Sequence, residues 1–150
     1  MFTGEYQYKV DEKGRVPFPP KFREQLKEGL ILARSENKCI SVYPVDEWKK
    51  LSEQWNLLPP ADPDELRYRR LLFGTAFEAE FDGQGRIGLP APLRQHADIG
   101  NTVVLVGANN CMEIWNKENW DQESTDPGKQ MADINKRLAR RKNDSQSDGE

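Results

Sequence analysis

Two arginines carry the sharpest chemistry in the chain. Arg15 closes the run DEKGR at residues 11–15, and Arg86 closes DGQGR at residues 82–86. Each follows a glycine directly and an aspartate by four positions. An arginine so placed offers a planar, permanently charged fork that can grip guanine O6 and N7 together or bridge to a phosphate. Gly14 and Gly85 supply a turn position where φ is free to be positive. Asp11 and Asp82 are better suited to accepting backbone N–H bonds or bracing the arginines than to meeting an anion. Lys13 adds a point charge to the first turn. Gln84 takes its place in the second, where it can hydrogen-bond to a base edge but adds nothing to counterion release, so the halves should bind unequally. Taken singly, each Asp and Arg would do no more than close a turn by a salt bridge. Arg23 and Arg94 follow on a helix and could reach phosphate or form internal ion pairs.

Other chemistry is thinly represented. His96 is the single histidine, and Asp98, two positions on, is not at helical i, i+3 or i+4 spacing, so a structural role is expected. Ser35, Ser41 and Ser52 have no base near them in sequence, and there is no GxSxG, phosphate loop or zinc spacing. Cys39 and Cys111 are too few for a disulfide framework and read as reduced, buried small hydrophobes. The sequence therefore predicts no catalytic set, no metal and no cofactor.

What positions the two arginines is a duplication. At an offset of 71 residues Asp11, Gly14, Arg15, Pro19, Arg23 and Gly29 fall on Asp82, Gly85, Arg86, Pro90, Arg94 and Gly100. Val16, Phe18 and Phe22 fall on Ile87, Leu89 and Leu93, so apolar character persists where identity is lost. At an offset of 72, Cys39 falls on Cys111, Tyr43 on Trp115 and Trp48 on Trp120. Two copies are fewer than a repeat array needs and point to a pseudo-dimer in one chain. Each copy reads as strand, turn, strand, short helix, strand, strand. EYQYKV and FEAEF alternate before the turns, and VPF and IGL follow them. PKFREQLK and APLRQHAD are short helices, opened by Pro20 or Pro92 and stopped near Gly29 or Gly100. LILAR, TVVLVG, CISVY and CMEIW are the remaining strands. A helix runs from Asp46 through WKKLSEQW, with a weaker equivalent at KENWDQE. Trp48 and Trp120 are most simply packing anchors, with contact between subunits the sharper alternative.

The expected divisions are a first repeat over 1–58, a linker with the connecting helix ELRYRRLLF over 59–72, a second repeat over 73–124, and a polar tail over 125–150. The prolines of LLPPADPDE bar helix there. The tail lacks aromatics and reads as disordered, with NKRLARRK as its one candidate helix. A hydrophobic fraction of 36% is low for a compact monomer and points to apolar surface buried between subunits. The net charge of −3 argues against a uniformly basic coat without excluding a basic face. No apolar run reaches the roughly 20 residues that span a bilayer, so a soluble, cytoplasmic protein without membrane partners is expected.

DEKGRVPFPPKFREQL and DGQGRIGLPAPLRQHA resemble the two signature segments of the MraZ family. The likeness extends to MFTGEY, RRLLFGTAF, VYPVDEW and EIWNKENW, and so covers nearly the whole chain up to the tail. It implies an α+β, mainly β fold of two tandem AbrB-like swapped-hairpin (double-wing) units, forming an internal pseudo-dimer barrel with flanking helices. It further implies homo-oligomeric rings, octamers or dodecamers, on double-stranded DNA with short direct repeats upstream of the division and cell-wall gene cluster. The implied role is nucleoid-associated transcriptional regulation, usually repression. DNA contacts would fall to Arg15, Arg86, Lys13 and Gln84, with Arg23 and Arg94 on phosphate and Asp11, Gly14, Asp82 and Gly85 supporting the turns. The alternative is a protein-binding module, since related swapped-hairpin proteins include antitoxins that hold a partner through a C-terminal extension. Met131, Ile134 and Leu138 are the few anchors this tail has for that.

Overall fold

A computed structural model describes residues 1–56 and 62–147. Residues from Met1 to Asn119 form one compact unit, and those from Trp120 onward form a second. In the first unit the chain runs β1 (Glu5–Lys9), β2 (Arg15–Pro17), α1 (Pro20–Gln25), β3 (Leu30–Arg34), β4 (Cys39–Pro44) and α2 (Val45–Asn56). It continues with α3 (Pro63–Gly74), β5 (Phe77–Ala79), β6 (Arg86–Gly88), α4 (Ala91–His96), β7 (Thr102–Gly107) and β8 (Met112–Asn116). α5 (Lys117–Glu123) and α6 (Pro127–Ser147) follow.

The eight strands do not pair copy by copy. They form a six-stranded antiparallel sheet in the order β1-β7-β8-β4-β3-β5 and a two-stranded ribbon, β2-β6. β1 of the first copy lies against β7 of the second, with Tyr6 opposite Leu105. β5 of the second lies against β3 of the first, with Ile31 opposite Glu78. β4 and β8 join the halves at the centre, with Ile40 opposite Ile114. Reading the order from either edge gives the same sequence of equivalent strands, the pattern of a twofold, self-complementary association carried inside one chain.

The period-two alternation decides which side chains enter the core. Leu32, Ile40, Val42, Val103, Leu105, Met112 and Ile114 point to one face of the sheet and are buried. From the other side the ribbon contributes Val16 and Ile87, directly opposite each other and fully buried. α1 and α4 add Phe22 and Leu93 to the same cluster. Phe22 packs against the rings of Phe2 and Tyr6, with centroids 5.5 and 5.2 Å away. Both short helices start behind a proline, Pro19 or Pro90, with a second proline in the first turn, where the missing N–H costs nothing.

Several boundaries differ from the sequence expectation. FEAEF pairs only over Phe77–Ala79, because Ala79 already faces Leu30, the first residue of β3, and no partner remains for Glu80 and Phe81. After the first short helix Gly29 takes a positive φ, but in the second copy Asp98 does so, not Gly100. Of the linker LLPPADPDE, residues 57–61 lie outside those described. Its last three residues are helical, because Pro63 sits at the first helical position of α3 and the Asp62 carboxylate accepts from the Asp64 N–H at 2.8 Å.

The expected disordered tail is corrected more substantially: α6 is a helix of 21 residues. It is rich in Lys, Arg, Gln and Ala, all good helix formers, and the carboxylate of Asp126, just before it, accepts from the Lys129 N–H at 3.4 Å. Polarity removes the drive to bury a segment but does not oppose local backbone bonding. Among the described residues no helix is long and apolar enough to cross a membrane.

Candidate nucleic-acid interface

The ribbon β2-β6 brings the two Asp-x-x-Gly-Arg turns side by side. Within each, the aspartate binds its own turn with both oxygens. Asp11 Oδ1 accepts from the backbone N–H of Lys13 and of Arg15, both at 2.9 Å, and Oδ2 accepts from Arg15 Nε at 2.7 Å. Asp82 repeats this with Gln84 and Arg86 at 2.9 Å each, and with Arg86 Nε at 2.8 Å. Backbone bonds from Gly14 N to Asp11 O and from Gly85 N to Asp82 O, both 3.0 Å, tighten each loop. The glycines stand at φ +75° and +76°, where a side chain is strained.

The two turns also meet each other. Arg15 Nη1 lies 4.0 Å from Asp82 Oδ2, and Arg86 Nη1 lies 3.7 Å from Asp11 Oδ2. These cross-distances are ion-pair contacts, too long for hydrogen bonds. Asp11, Arg15, Asp82 and Arg86 thus form a closed quartet in which each carboxylate faces both guanidinium groups. The side chains of Arg15 and Arg86 keep 29% and 24% of their surface exposed, with Nε of each fixed by its own aspartate. The backbone N–H of Arg15, then its guanidinium and the Lys13 N–H, hold the Asp11 carboxyl below its ordinary pKa, against partial desolvation. Asp82 is lowered in the same way, first by the Arg86 N–H.

The Lys13 and Gln84 side chains stand exposed at the tips of the turns. Arg23 and Arg94 reach across to the turn of the opposite copy. A Cβ on Gly14 would run into Arg94 Nη1, and one on Gly85 into Arg23 Nη1. Each guanidinium therefore lies over the glycine of the opposite copy, and among the described residues neither makes an ion pair. Arg23 Nε is buried without a hydrogen-bond partner among those residues. Backbone bonds tie the copies at the same place, from Leu89 N to Gly14 O at 2.9 Å and from Phe18 N to Gly85 O at 3.3 Å. This crossed packing was missed in the sequence, although the equal offset of the Gly and Arg pairs was its signal.

Remaining candidates fall away from the quartet. His96 Nε2–H donates to the Asn37 carbonyl at 2.9 Å, a tie between the copies. Ser35 Oγ accepts from the Asn37 N–H at 3.1 Å, and Ser41 is buried in β4. Trp48 sits between Tyr43 and Phe73, with centroids 5.4 and 5.1 Å away. Cys39 is fully buried and Cys111 partly so, both as free thiols, and burial raises them to about 12 and about 11. Among the described residues no group of His, Cys, Asp and Glu could hold a metal ion.

Interlocked copies around one core, with paired Asp-Gly-Arg turns on a shared ribbon, define a tandem AbrB-like swapped-hairpin protein, α+β and mainly sheet. A family model described as "MraZ protein, putative antitoxin-like" matches residues 1–71 and again 72–142. The "Transcriptional regulator MraZ" of Dehalococcoides mccartyi is 49% identical over 124 residues, covering 82% of this chain and 87% of that protein. Its namesake from Oenococcus oeni is 41% identical over 122 residues, covering 81% and 85%. That from Pediococcus pentosaceus is 38% identical over 138 residues, covering 92% and 96%. The chain belongs to the MraZ family.

Proposed function

We propose that this protein regulates transcription by binding double-stranded DNA in a sequence-specific manner, with Arg15 and Arg86 as its base-reading residues. The observation that carries this reading is the quartet. It holds two part-exposed guanidinium groups side by side by Nε, and in this reading their Nη groups are the donors offered to a guanine O6/N7 pair. Holding an arginine before contact lowers the ordering cost of binding. Lys13 adds a phosphate contact to one half, while Gln84 offers the other a base-edge hydrogen bond. Arg23 and Arg94 then act through the turns they cover, with their Nη groups as second-rank phosphate donors.

Two turns make a small footprint, since specific DNA interfaces bury on the order of 1,000 Å² or more. A ring of eight or twelve chains would set several turn pairs in succession on short direct repeats. Such multivalency raises avidity by about 10² to 10⁴ when the spacings match. In this reading the targets are repeats upstream of the protein's own gene, at the head of the division and cell-wall cluster, and the outcome is repression at the nucleoid. A second reading, capture of a protein partner, draws on the "antitoxin-like" family description and on α6, where Met131, Ile134 and Leu138 are exposed.

Fluorescence anisotropy on DNA from upstream of the gene, against a scrambled duplex, decides between them. Arg15→Ala and Arg86→Ala should each lower specific affinity by at least tenfold with unchanged oligomer size. Equal binding of both duplexes by the wild type, or full specificity in both variants, would return the turns to a structural role.

A further inference from the structure

The quartet is a poor source of long-range attraction, because its two arginines are matched by two aspartates and its net charge is zero. The balance elsewhere in the chain is uneven. Residues 129–142 hold six Lys and Arg against one carboxylate, Asp133, a net of +5, so the rest of a chain of net −3 carries −8. The net positive charge of the chain is therefore concentrated in residues 129–142, while the rest of it sums to a net negative charge.

α6 displays those cations in order. At 100° per residue, Lys129, Lys136, Arg137 and Arg140 fall on one side of the helix with Asp133 among them, Met131, Ile134 and Leu138 fall opposite, and Arg141 and Lys142 flank that apolar stripe. Lys136 and Arg140, and likewise Arg137 and Arg141, are one turn apart. Lys129, Lys136, Arg137, Arg140, Arg141 and Lys142 are all solvent-facing or nearly so, and none makes an ion pair among the described residues. A lipid surface is the less suitable ligand, since the apolar stripe has three members on a 21-residue helix and no aromatic residue.

We propose that the cationic face of α6 is a second DNA-binding element, which engages backbone phosphates without regard to sequence and adds counterion release to the little that the charge-balanced quartet and its few flanking cations supply. This assignment rests on the DNA-binding reading above. It divides the work: the turns choose the site, and α6 supplies the salt-dependent part of the affinity.

The test is a salt titration of the full chain on its upstream DNA and on scrambled DNA. It compares wild type with a Lys136→Gln, Arg137→Gln, Arg140→Gln, Arg141→Gln variant, Gln being close to Lys and Arg in helix propensity. Removing one cation from a phosphate should flatten the slope of log affinity against log salt by about 0.9, so the variant should be shallower by about 2 to 4. The ratio of specific to scrambled binding should stay within about twofold. Arg137→Lys, Arg140→Lys, Arg141→Lys keeps the charge and should keep the wild-type slope. An unchanged slope in the Gln variant overturns the assignment to α6 alone, and no wild-type affinity for either duplex overturns it together with the DNA reading. Wild-type binding to phosphatidylserine vesicles, lost in the Gln variant while the DNA slope holds, would overturn it in favour of a lipid surface.

Discussion

Asp11 and Asp82 each spend one oxygen on backbone N–H groups and the other on an arginine, so their charge is built into the fold of the turn. Their pKa values are lowered in the folded chain, from causes led by the Arg15 and Arg86 backbone N–H groups. Between the ordinary carboxyl value, about 3.9, and the lower folded one, the unfolded chain binds more protons, so stability rises with pH through that window. The contribution is complete above about pH 5 and is lost as pH falls through the folded values. Thermal unfolding from pH 7 to pH 3 should show a steeper fall below pH 4 in wild type than in an Asp11→Asn, Asp82→Asn variant, which should also melt lower at pH 7. Parallel curves would show that the carboxylates do not couple to folding. At this scale the turns were legible in the sequence, because a glycine between Asp and Arg has few other uses. Arg23 and Arg94 were not, because a long flexible side chain leaves its destination open until the opposite copy is in place.

Among the elements, the ribbon β2-β6 has the most to hold together with the fewest residues, three per strand. Its inward pair, Val16 and Ile87, is wholly buried. Ile87→Ala should cost about 2 to 5 kcal/mol, as deletion of a buried aliphatic side chain does when the site cannot collapse. Val16→Ala added to it should cost less than the sum of the two single changes, since both enlarge one cavity. Denaturant unfolding of the three variants measures this, and strict additivity would mean that the two side chains do not share a space. Strand positions were legible from alternation in EYQYKV, CISVY and CMEIW, and helix starts from Pro20 and Pro92. Pairing was not: equivalent strands have equivalent patterns, so periodicity cannot say whether β2 meets its own copy or the other. The helical state of α6 was legible only over NKRLARRK, because its composition, polar and without aromatics, is shared by disordered segments and by solvated helices.

Over the whole molecule, neither copy has a complete sheet of its own. β1 takes its backbone partners from β7, and β5 takes its partners from β3. A fragment of residues 1–56 should therefore not fold as a monomer. It should remain without cooperative unfolding, or form a dimer in which a second fragment supplies the missing ribbon strand and turn. Sedimentation together with thermal unfolding distinguishes these, and a folded monomeric fragment would contradict the exchanged pairing. The crossing of strands between copies has a further consequence in time. β1 is finished by Lys9, but its partner begins only at Thr102. At a synthesis rate of about 5 to 20 residues per second, the first strand leaves the ribosome on the order of 5 to 20 seconds before its partner exists. Until then the apolar sides of Tyr6, Tyr8 and Phe22 have only half a core to enter. The duplication that makes the protein its own partner also delays its folding until the second copy has been made.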